Sequence, residues 1–404
     1  MKNTIYKAEL EKSGYQLEGP LIIGGVASYG VLLPVNTVQG ISGNGSGDEN
    51  NSSGCSALLP GMDVADQVGV GALRLREYKI ALELGFLGTA FHGSIGTENS
   101  VERAITSALL QVGAVPSGQK VLFQRLSRVD PGVHARSFRL VTPRVRLSRG
   151  DVQADGTCPR LLEVLNRRLP TALRIFELAT IPFSGNLSEA CTSREYLYYL
   201  PASVLGLDAA GRARLAQKLH EYIGTHCFAN FTRLDKYDAL VRELGRSRSG
   251  KAWMHGAFGH RRHRLKSGLS DENRVWQHVP SLVRDMTTRT LTVAELVGSN
   301  NDRLICIRLV GGGFLNSMVR LLVGVACAVA SGALDAAVAS SVLEAESLID
   351  VSEFLAPAQG LVLFSQHLDA SRTPWLPVDR GAVLADGFLS DMIIPEVIDS
   401  WASA

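Results

Sequence analysis

Apolar and polar residues begin to alternate near Tyr78, and this alternation predicts a first β-strand with one buried face. The apolar positions of this strand are Ile80, Leu82, Leu84 and Phe86. A stripe with helical spacing follows, for which Asn99 is the predicted N-cap and Glu102 completes a capping box. The stripe consists of Val101, Ala104, Ile105, Ala108, Leu109 and Val112.

The pattern continues through four more elements and gives the order β-α-β-β-α-β, which is typical of a ferredoxin-like unit. The predicted elements are strands at 121–126 and 137–141, a helix at 161–169 that ends at Pro170, and a strand at 173–178. A second and weaker series follows. It contains a strand at 196–200, a helix capped by Asp208, strands at 290–296 and 304–310, helices at 314–330 and 334–348, and a strand at 360–365.

Two series of similar order predict an α+β fold. We expect two ferredoxin-like (RRM-like) units in a pseudo-symmetric arrangement, which form an antiparallel sheet with a central basic cleft. Residues 1–73 read as a disordered, acidic leader, because the Gly-, Ser- and Asn-rich stretch 36–72 cannot bury enough apolar surface to offset chain entropy. The predicted units are 74–192 and 193–370, with a basic insertion at 233–285 and an acidic tail at 371–404.

Charge is unevenly distributed, although the formal net charge of the 404 residues is only +2. The leader has three lysines and seven acidic residues, whereas the remainder has 38 basic and 32 acidic residues. This basic remainder suits a polyanionic partner. In the insertion, basic residues alternate with Trp253 and Phe258, which suits phosphate contact and base stacking. The predicted RNA contacts there are Arg261, Arg262, Arg264 and Lys266. A solvated insertion without a ligand is the alternative.

The residue pattern does not favour a metal site. The six cysteines are scattered without a C-x-x-C pair, as in a reducing compartment, and the histidines of the insertion lack partnered metal ligands. The apolar stretch 21–35 is too short to span a bilayer and is interrupted by glycine and proline. The leader lacks arginine, unlike a usual organellar transit peptide. We therefore expect a cytoplasmic or nuclear protein without membrane contact, and a mitochondrial location is the alternative.

Three positions carry candidate chemistry. Asp130 lies on a Pro-Gly turn just after a predicted strand, two residues beyond Arg128, and the alternative is an ordinary turn aspartate with a surface arginine. Arg320 is the only charged residue between Leu309 and Ala330. It either extends to water or pairs with a carboxylate, for which Asp130 is the candidate. Tyr196, on a strand, either packs in the core or stacks on an extruded base.

The segment 127–135, S-R-V-D-P-G-V-H-A, resembles the catalytic motif of the TruA type of tRNA pseudouridine synthases, especially their eukaryotic branch. Five further segments resemble that family in the same order: 85–93, 193–198, 224–232, 312–324 and 356–363. Three residues depart from it. Val129 stands where threonine is usual, Ser127 where glycine or alanine is common, and Ser94 where tryptophan or methionine is usual.

The resemblance implies conversion of uridine to pseudouridine in RNA, most readily tRNA with rRNA next, by a monomer rather than a homodimer and without a cofactor. It implies that Asp130 acts as the carboxylate, Arg128 holds the flipped state, Tyr196 stacks on uracil and Arg320 pairs with Asp130. Arg194, in the R-E-Y-L-Y strand, is an expected RNA contact. A weakly active RNA-binding or ribosome-assembly factor, acting on organellar rRNA, is the alternative. A metal-dependent RNA enzyme that uses the histidines of the insertion is a third.

Overall fold

The computed structural model describes residues 15–18, 21–23, 26–28, 31–34, 75–96, 98–184, 187–232, 281–298, 304–346, 349–373 and 381–402. Most of the predicted basic insertion lies outside these ranges. The four predicted RNA contacts Arg261, Arg262, Arg264 and Lys266 are among the residues outside them. The insertion's last residues, from Ser281 onward, belong to a short helix.

Strands β5 to β13 form one nine-stranded sheet, in the order β10-β11-β12-β9-β13-β7-β5-β8 with β6 paired to β7. These strands are β5 (Arg76–Phe86), β6 (Gln124–Arg125), β7 (His134–Leu147), β8 (Leu173–Ile181), β9 (Cys191–Pro201), β10 (Gly224–Cys227), β11 (Thr288–Val297), β12 (Leu304–Gly311) and β13 (Leu361–Leu368). The leader contributes two separate strand pairs, β1 with β4 and β2 with β3. They are β1 (Tyr15–Glu18), β2 (Leu21–Ile23), β3 (Val26–Ser28) and β4 (Val31–Pro34).

Ten α-helices accompany the sheet in the described part of the chain. They are α1 (Val101–Gln111), α2 (Pro159–Arg168), α3 (Leu187–Ala190), α4 (Ala202–Leu205), α5 (Ala209–Glu221), α6 (Ser281–Thr287), α7 (Met318–Ser331), α8 (Ala336–Glu344), α9 (Ala382–Phe388) and α10 (Ile394–Ala402). A π-helical turn, Leu389–Ile393, joins the last two. None of the described helices has the length and apolar character needed to cross a membrane.

The sheet is mixed, which confirms the α+β prediction but shows that the expected fully antiparallel sheet is wrong. Strand β13 runs parallel to β7, with Val362 opposite His134 and Leu363 opposite Ala135. The other neighbours in the sheet are antiparallel. A parallel pair needs a long connection between its strands, and the helices and strands between β7 and β13 provide it. Alternation within each strand cannot reveal the direction of its neighbours.

The two faces of the sheet are covered by different helices. Along β9, Tyr196 and Tyr198 belong to the large core on one face, while Leu197 and Tyr199 belong to the core on the other. The second core is completed by the C-terminal segment, for which the sequence offered no interpretation. Its contributions are Ala385, Phe388, Leu389, Ile393 and Val397.

Several element boundaries differ from those predicted. Asp208 does cap α5, since its Oδ1 accepts the Gly211 N–H at 2.7 Å. The cap of α1 is Ser100 rather than Asn99. Helix α7 begins at Met318 rather than at 314, because Ser317 has a left-handed backbone with φ 61°. The strand predicted at 121–126 contracts to β6, and the one predicted at 137–141 extends over β7.

Helix α7 approaches the segment before β13 so closely that only glycine fits at position 324. A Cβ built on Gly324 would lie 1.6 Å from the Phe354 carbonyl oxygen. We expect Gly324→Ala to lower the free energy of unfolding by at least about 2 kcal/mol, because backbone must move to accept the methyl group. Urea unfolding of the full chain measures the change.

Gly387→Ala is the matched control, because Gly387 also lies in a helix but has no atom within 4 Å of its added Cβ. That control should be neutral or stabilising by up to about 1 kcal/mol. Equal stability of the two variants would show that α7 and the segment before β13 are not packed as described.

Candidate active site

Asp130 lies on the loop between β6 and β7, here called the Asp130 loop (residues 126–133), and this loop is tied to the segment after β5. The Ser94 Oγ accepts the Val129 N–H at 3.0 Å, and the Ser94 N–H donates to the Val129 carbonyl oxygen at 3.0 Å. Gly93 adopts φ 90°, and a Cβ there would lie 3.1 Å from the same carbonyl oxygen. Hydrogen bonds between its backbone and Ser94 therefore fix Val129, the residue before Asp130.

Arg194 ties the Asp130 loop to β9. Its Nη2 donates to the Leu126 carbonyl oxygen at 2.7 Å, and its Nε donates to the Ser127 Oγ at 3.3 Å. Its Nη1 donates to the Gly312 carbonyl oxygen at 2.6 Å, which also ties in the glycine-rich turn after β12. The guanidinium thus bridges both loops that flank Asp130.

Around Asp130 lies a cavity of about 670 Å³. Asp130 is the only acid among the described residues that line it, and five arginines line it as well. They are Arg125, Arg128, Arg194, Arg289 and Arg320. Such an excess of positive charge suits a polyanionic ligand.

The Asp130 carboxylate receives a hydrogen bond from an amide. Asn316 Nδ2 lies 3.0 Å from Oδ1 and 3.3 Å from Oδ2 of Asp130. Arg320 lines the same cavity, and its Nε donates to the Ala356 carbonyl oxygen at 2.6 Å. Asp130 and Arg320 therefore line one cavity, and an ion pair between them stays a prediction.

Tyr196 and Arg128 both line the cavity, but Tyr196 is buried and Arg128 is exposed. The Tyr196 ring is buried and packs edge-on against Phe314, with the ring centroids 5.0 Å apart. Burial raises the pKa of Tyr196, so its hydroxyl stays neutral. Arg128 is exposed, and its side chain has no hydrogen-bond or ion-pair partner among the residues that the structure describes. Its guanidinium is therefore available to a ligand.

Comparisons with known proteins agree on one family. A family model described as "tRNA pseudouridine synthase" matches residues 274–368. The tRNA pseudouridine(38/39) synthase of Bos taurus is 28% identical over 176 residues, which cover 40% of this chain and 36% of that protein. The tRNA pseudouridine synthase A of Methanosarcina acetivorans is 31% identical over 173 residues, which cover 42% of this chain and 58% of that protein.

Over these segments the chain is similar to tRNA pseudouridine synthases. It also resembles the pseudouridylate synthase 1 homolog of Mus musculus, with 29% identity over 181 residues that cover 39% of this chain and 40% of that protein. The chain spans only about a third to three fifths of the length of these relatives. The family model matches the segment that carries Asn316 and Arg320, and the Asp130 loop precedes that segment.

The three departures from the family pattern are all found around the Asp130 loop. Without the usual threonine at position 129, the loop is fixed through the Val129 backbone, by Ser94. Ser127 supplies the hydroxyl that accepts the Arg194 N–H. Two of the unusual residues, Ser94 and Ser127, therefore make hydrogen bonds that hold the loop in position.

Sequence reasoning missed two residues that contact the Asp130 loop, Ser94 and Asn316. Asn316 is the only side-chain amide between Leu309 and Ala330, which is a signal, whereas Ser94 stands out only as a departure from the family pattern. Arg289, which also lines the cavity, follows the basic insertion and gave no signal. Among the described residues, no group of three His, Cys, Asp or Glu side chains is arranged to hold a metal ion.

His134, at the start of β7, joins the Asp130 loop to two other segments and is fully buried. The Gly88 N–H donates to its Nδ1 at 3.1 Å, and its Nε2 lies 3.1 Å from the Gln359 carbonyl oxygen. A backbone N–H can only donate and a carbonyl can only accept, so the ring is neutral with its proton on Nε2. Burial lowers the pKa of His134 to about 4.

The depressed pKa predicts acid destabilisation through His134. The neutral ring stabilises the fold fully above the unfolded pKa of about 6.5, and roughly 3 kcal/mol of stability is lost as pH falls from there to about 4. We expect the Tm of the wild type to fall more steeply over this range than that of His134→Gln. His92→Gln, at an exposed histidine, should keep the wild-type slope. Parallel curves for all three would contradict the assignment.

Proposed function

We propose that this protein isomerises uridine to pseudouridine in RNA, with tRNA as its substrate. The observation that carries the proposal is a single carboxylate, Asp130, held by hydrogen bonds from Asn316 in a cavity whose other charged lining residues, among those that the structure describes, are all arginines. Similarity to tRNA pseudouridine synthases motivates the reaction class. The relatives that are named tRNA pseudouridine synthases motivate the choice of tRNA.

The reaction breaks the bond between N1 of uracil and C1′ of ribose and forms a bond between C5 and C1′. N1 gains a proton and C5 loses one, so the composition of the nucleotide does not change and no oxidant or reductant is needed. A uridine within a stem or loop leaves the stack before reaction. We propose that Asp130 then acts as an ionised carboxylate, either by attack at C1′ or by removal of a sugar proton.

The other cavity residues have supporting roles in this proposal. Arg128, exposed and without a partner among the described residues, holds the extruded state by filling the vacated space or by contacting a phosphate. Tyr196, neutral and rigidly packed on Phe314, stacks on the uracil. Arg320 keeps Asp130 charged and oriented.

We also propose the domain arrangement behind this site. Residues 74–192 and 193–370 are two ferredoxin-like units, and the first has the chain order β5-α1-β6-β7-α2-β8. The cavity draws its lining from both, since the Asp130 loop belongs to the first unit and Tyr196, Asn316 and Arg320 belong to the second. The basic insertion at 233–285 is the proposed further RNA contact.

The deciding experiment measures release of tritium from C5 of uridine in tRNA and rRNA transcripts. Purified full-length wild type should release it, and Asp130→Asn should slow release by about 10³-fold while it still binds RNA. Asp391→Asn, at an exposed aspartate of the C-terminal segment, is the matched control. Full activity of Asp130→Asn would overturn the catalytic assignment. RNA binding by wild type without any release would favour the assembly-factor alternative.

Two arginines of the cavity should differ in their effect on RNA binding. Arg128→Ala should weaken binding and reduce the slope of log K against log salt by about 1, because a phosphate-contacting cation is lost. Arg194 donates three hydrogen bonds within the protein, so Arg194→Ala should mainly lower Tm and turnover. Salt titrations of RNA affinity and thermal melts separate the two. A larger change of slope in Arg194→Ala would instead make Arg194 the phosphate contact.

A further inference from the structure

Asn316 is the residue that contacts the Asp130 carboxylate from the second half of the chain. The two residues are 186 positions apart, and the Asn316 Nδ2 lies within hydrogen-bond distance of both carboxylate oxygens. Neither side chain is exposed to solvent over most of its surface. The contact therefore restricts rotation of the carboxylate as well as its position.

Asn316 is itself held in place by two neighbours, Thr232 and Ser317. The Thr232 Oγ1 donates to its backbone carbonyl oxygen at 3.1 Å, and the Ser317 Oγ lies 3.4 Å from its Oδ1. Ser317 has the left-handed backbone that starts α7, so Asn316 lies on a sharp turn rather than in the helix. With its Oδ1 beside a hydroxyl donor, the amide directs its Nδ2 to Asp130.

We propose that Asn316 is a positioning residue for Asp130, which fixes the carboxylate and favours its ionised form through a neutral donor. This rests on the proposed function. A hydrogen bond to the charged form of a carboxyl group stabilises that form. A neutral amide does so without adding a further positive charge to those of the cavity arginines. An amide also cannot lose a proton to the carboxylate in the acid range.

The environment of Asp130 makes this proposal measurable by titration. Asp130 carries the only carboxyl group among the described residues that line the cavity. The charged groups that face the cavity from the surrounding elements are arginines, which stay protonated. They are Arg125, Arg128, Arg194, Arg289 and Arg320. Tyr196, with its pKa raised by burial, stays neutral throughout.

Two variants of the full chain test the proposal by two readouts. Asn316→Ala removes the donor, and Asn316→Asp places a second carboxylate beside the first, so both should favour the protonated form of Asp130. The first readout is kcat as a function of pH. We expect its acid limb to move up by about 0.5–1 pH unit in Asn316→Ala and by more than about 1 unit in Asn316→Asp. In Asn316→Ala, kcat should fall about tenfold with a smaller change in KM.

The second readout needs no activity. It follows the carboxyl carbons of 13C-labelled aspartate by NMR, with Asp130→Asn to assign the signal. The midpoint for Asp130 should move upward in the order wild type, Asn316→Ala, Asn316→Asp. Asn99→Asp is the matched control, because Asn99 donates to the Ala90 carbonyl oxygen away from the cavity, and it should leave the midpoint unchanged.

The outcomes separate this proposal from the proposed function. An unchanged Asp130 midpoint in both variants would overturn the positioning role, even if wild type converts uridine. A shifted midpoint in a protein that converts no RNA would uphold the contact between Asn316 and Asp130 and overturn the proposed reaction. A fall in activity with an unchanged midpoint and an unchanged acid limb would reduce Asn316 to a merely structural residue.

Discussion

The parallel pairing of β7 with β13 is the interaction on which the site depends. β7 follows the Asp130 loop directly, and β13 also pairs with β9, so Leu363 lies opposite both Ala135 and Tyr196. The segment that leads into β13 reinforces this junction. Its carbonyl oxygens accept hydrogen bonds from Arg320, Tyr198 and His134, which come from three different elements. Movement of this segment would therefore disturb α7, β9 and β7 together.

The cavity arginines divide into two groups according to their hydrogen bonds. Four of them donate to protein acceptors, so the protein fixes their guanidinium groups: Arg125, Arg194, Arg289 and Arg320. Arg128 is exposed and has no partner among the described residues, which leaves it for a ligand. Because the fixed arginines are oriented before any ligand arrives, the cavity presents a preorganised positive field with one carboxylate inside it.

The Asp130 loop keeps its position although several of its residues differ from the motif that it resembles. The hydroxyl that threonine would bring at position 129 is absent, yet the backbone there is held by Ser94, which is itself unusual for the family. The constraint acts on the backbone position of the loop rather than on one side chain. A hydrogen bond from a neighbouring segment can therefore replace a local one, provided that both segments are rigid.

The sequence by itself determined the order of the six elements from β5 to β8, the cap of α5, the apolar helix with Arg320 and the motif around Asp130, because periodicity, capping and turn chemistry are local. It could not determine the parallel pair, the start of α7, or the packing of the C-terminal helices against β9. It also placed Asp130 and Asn316 in separate motifs, and only folding made them neighbours. These features depend on contacts between residues far apart in the chain, which tertiary structure alone decides.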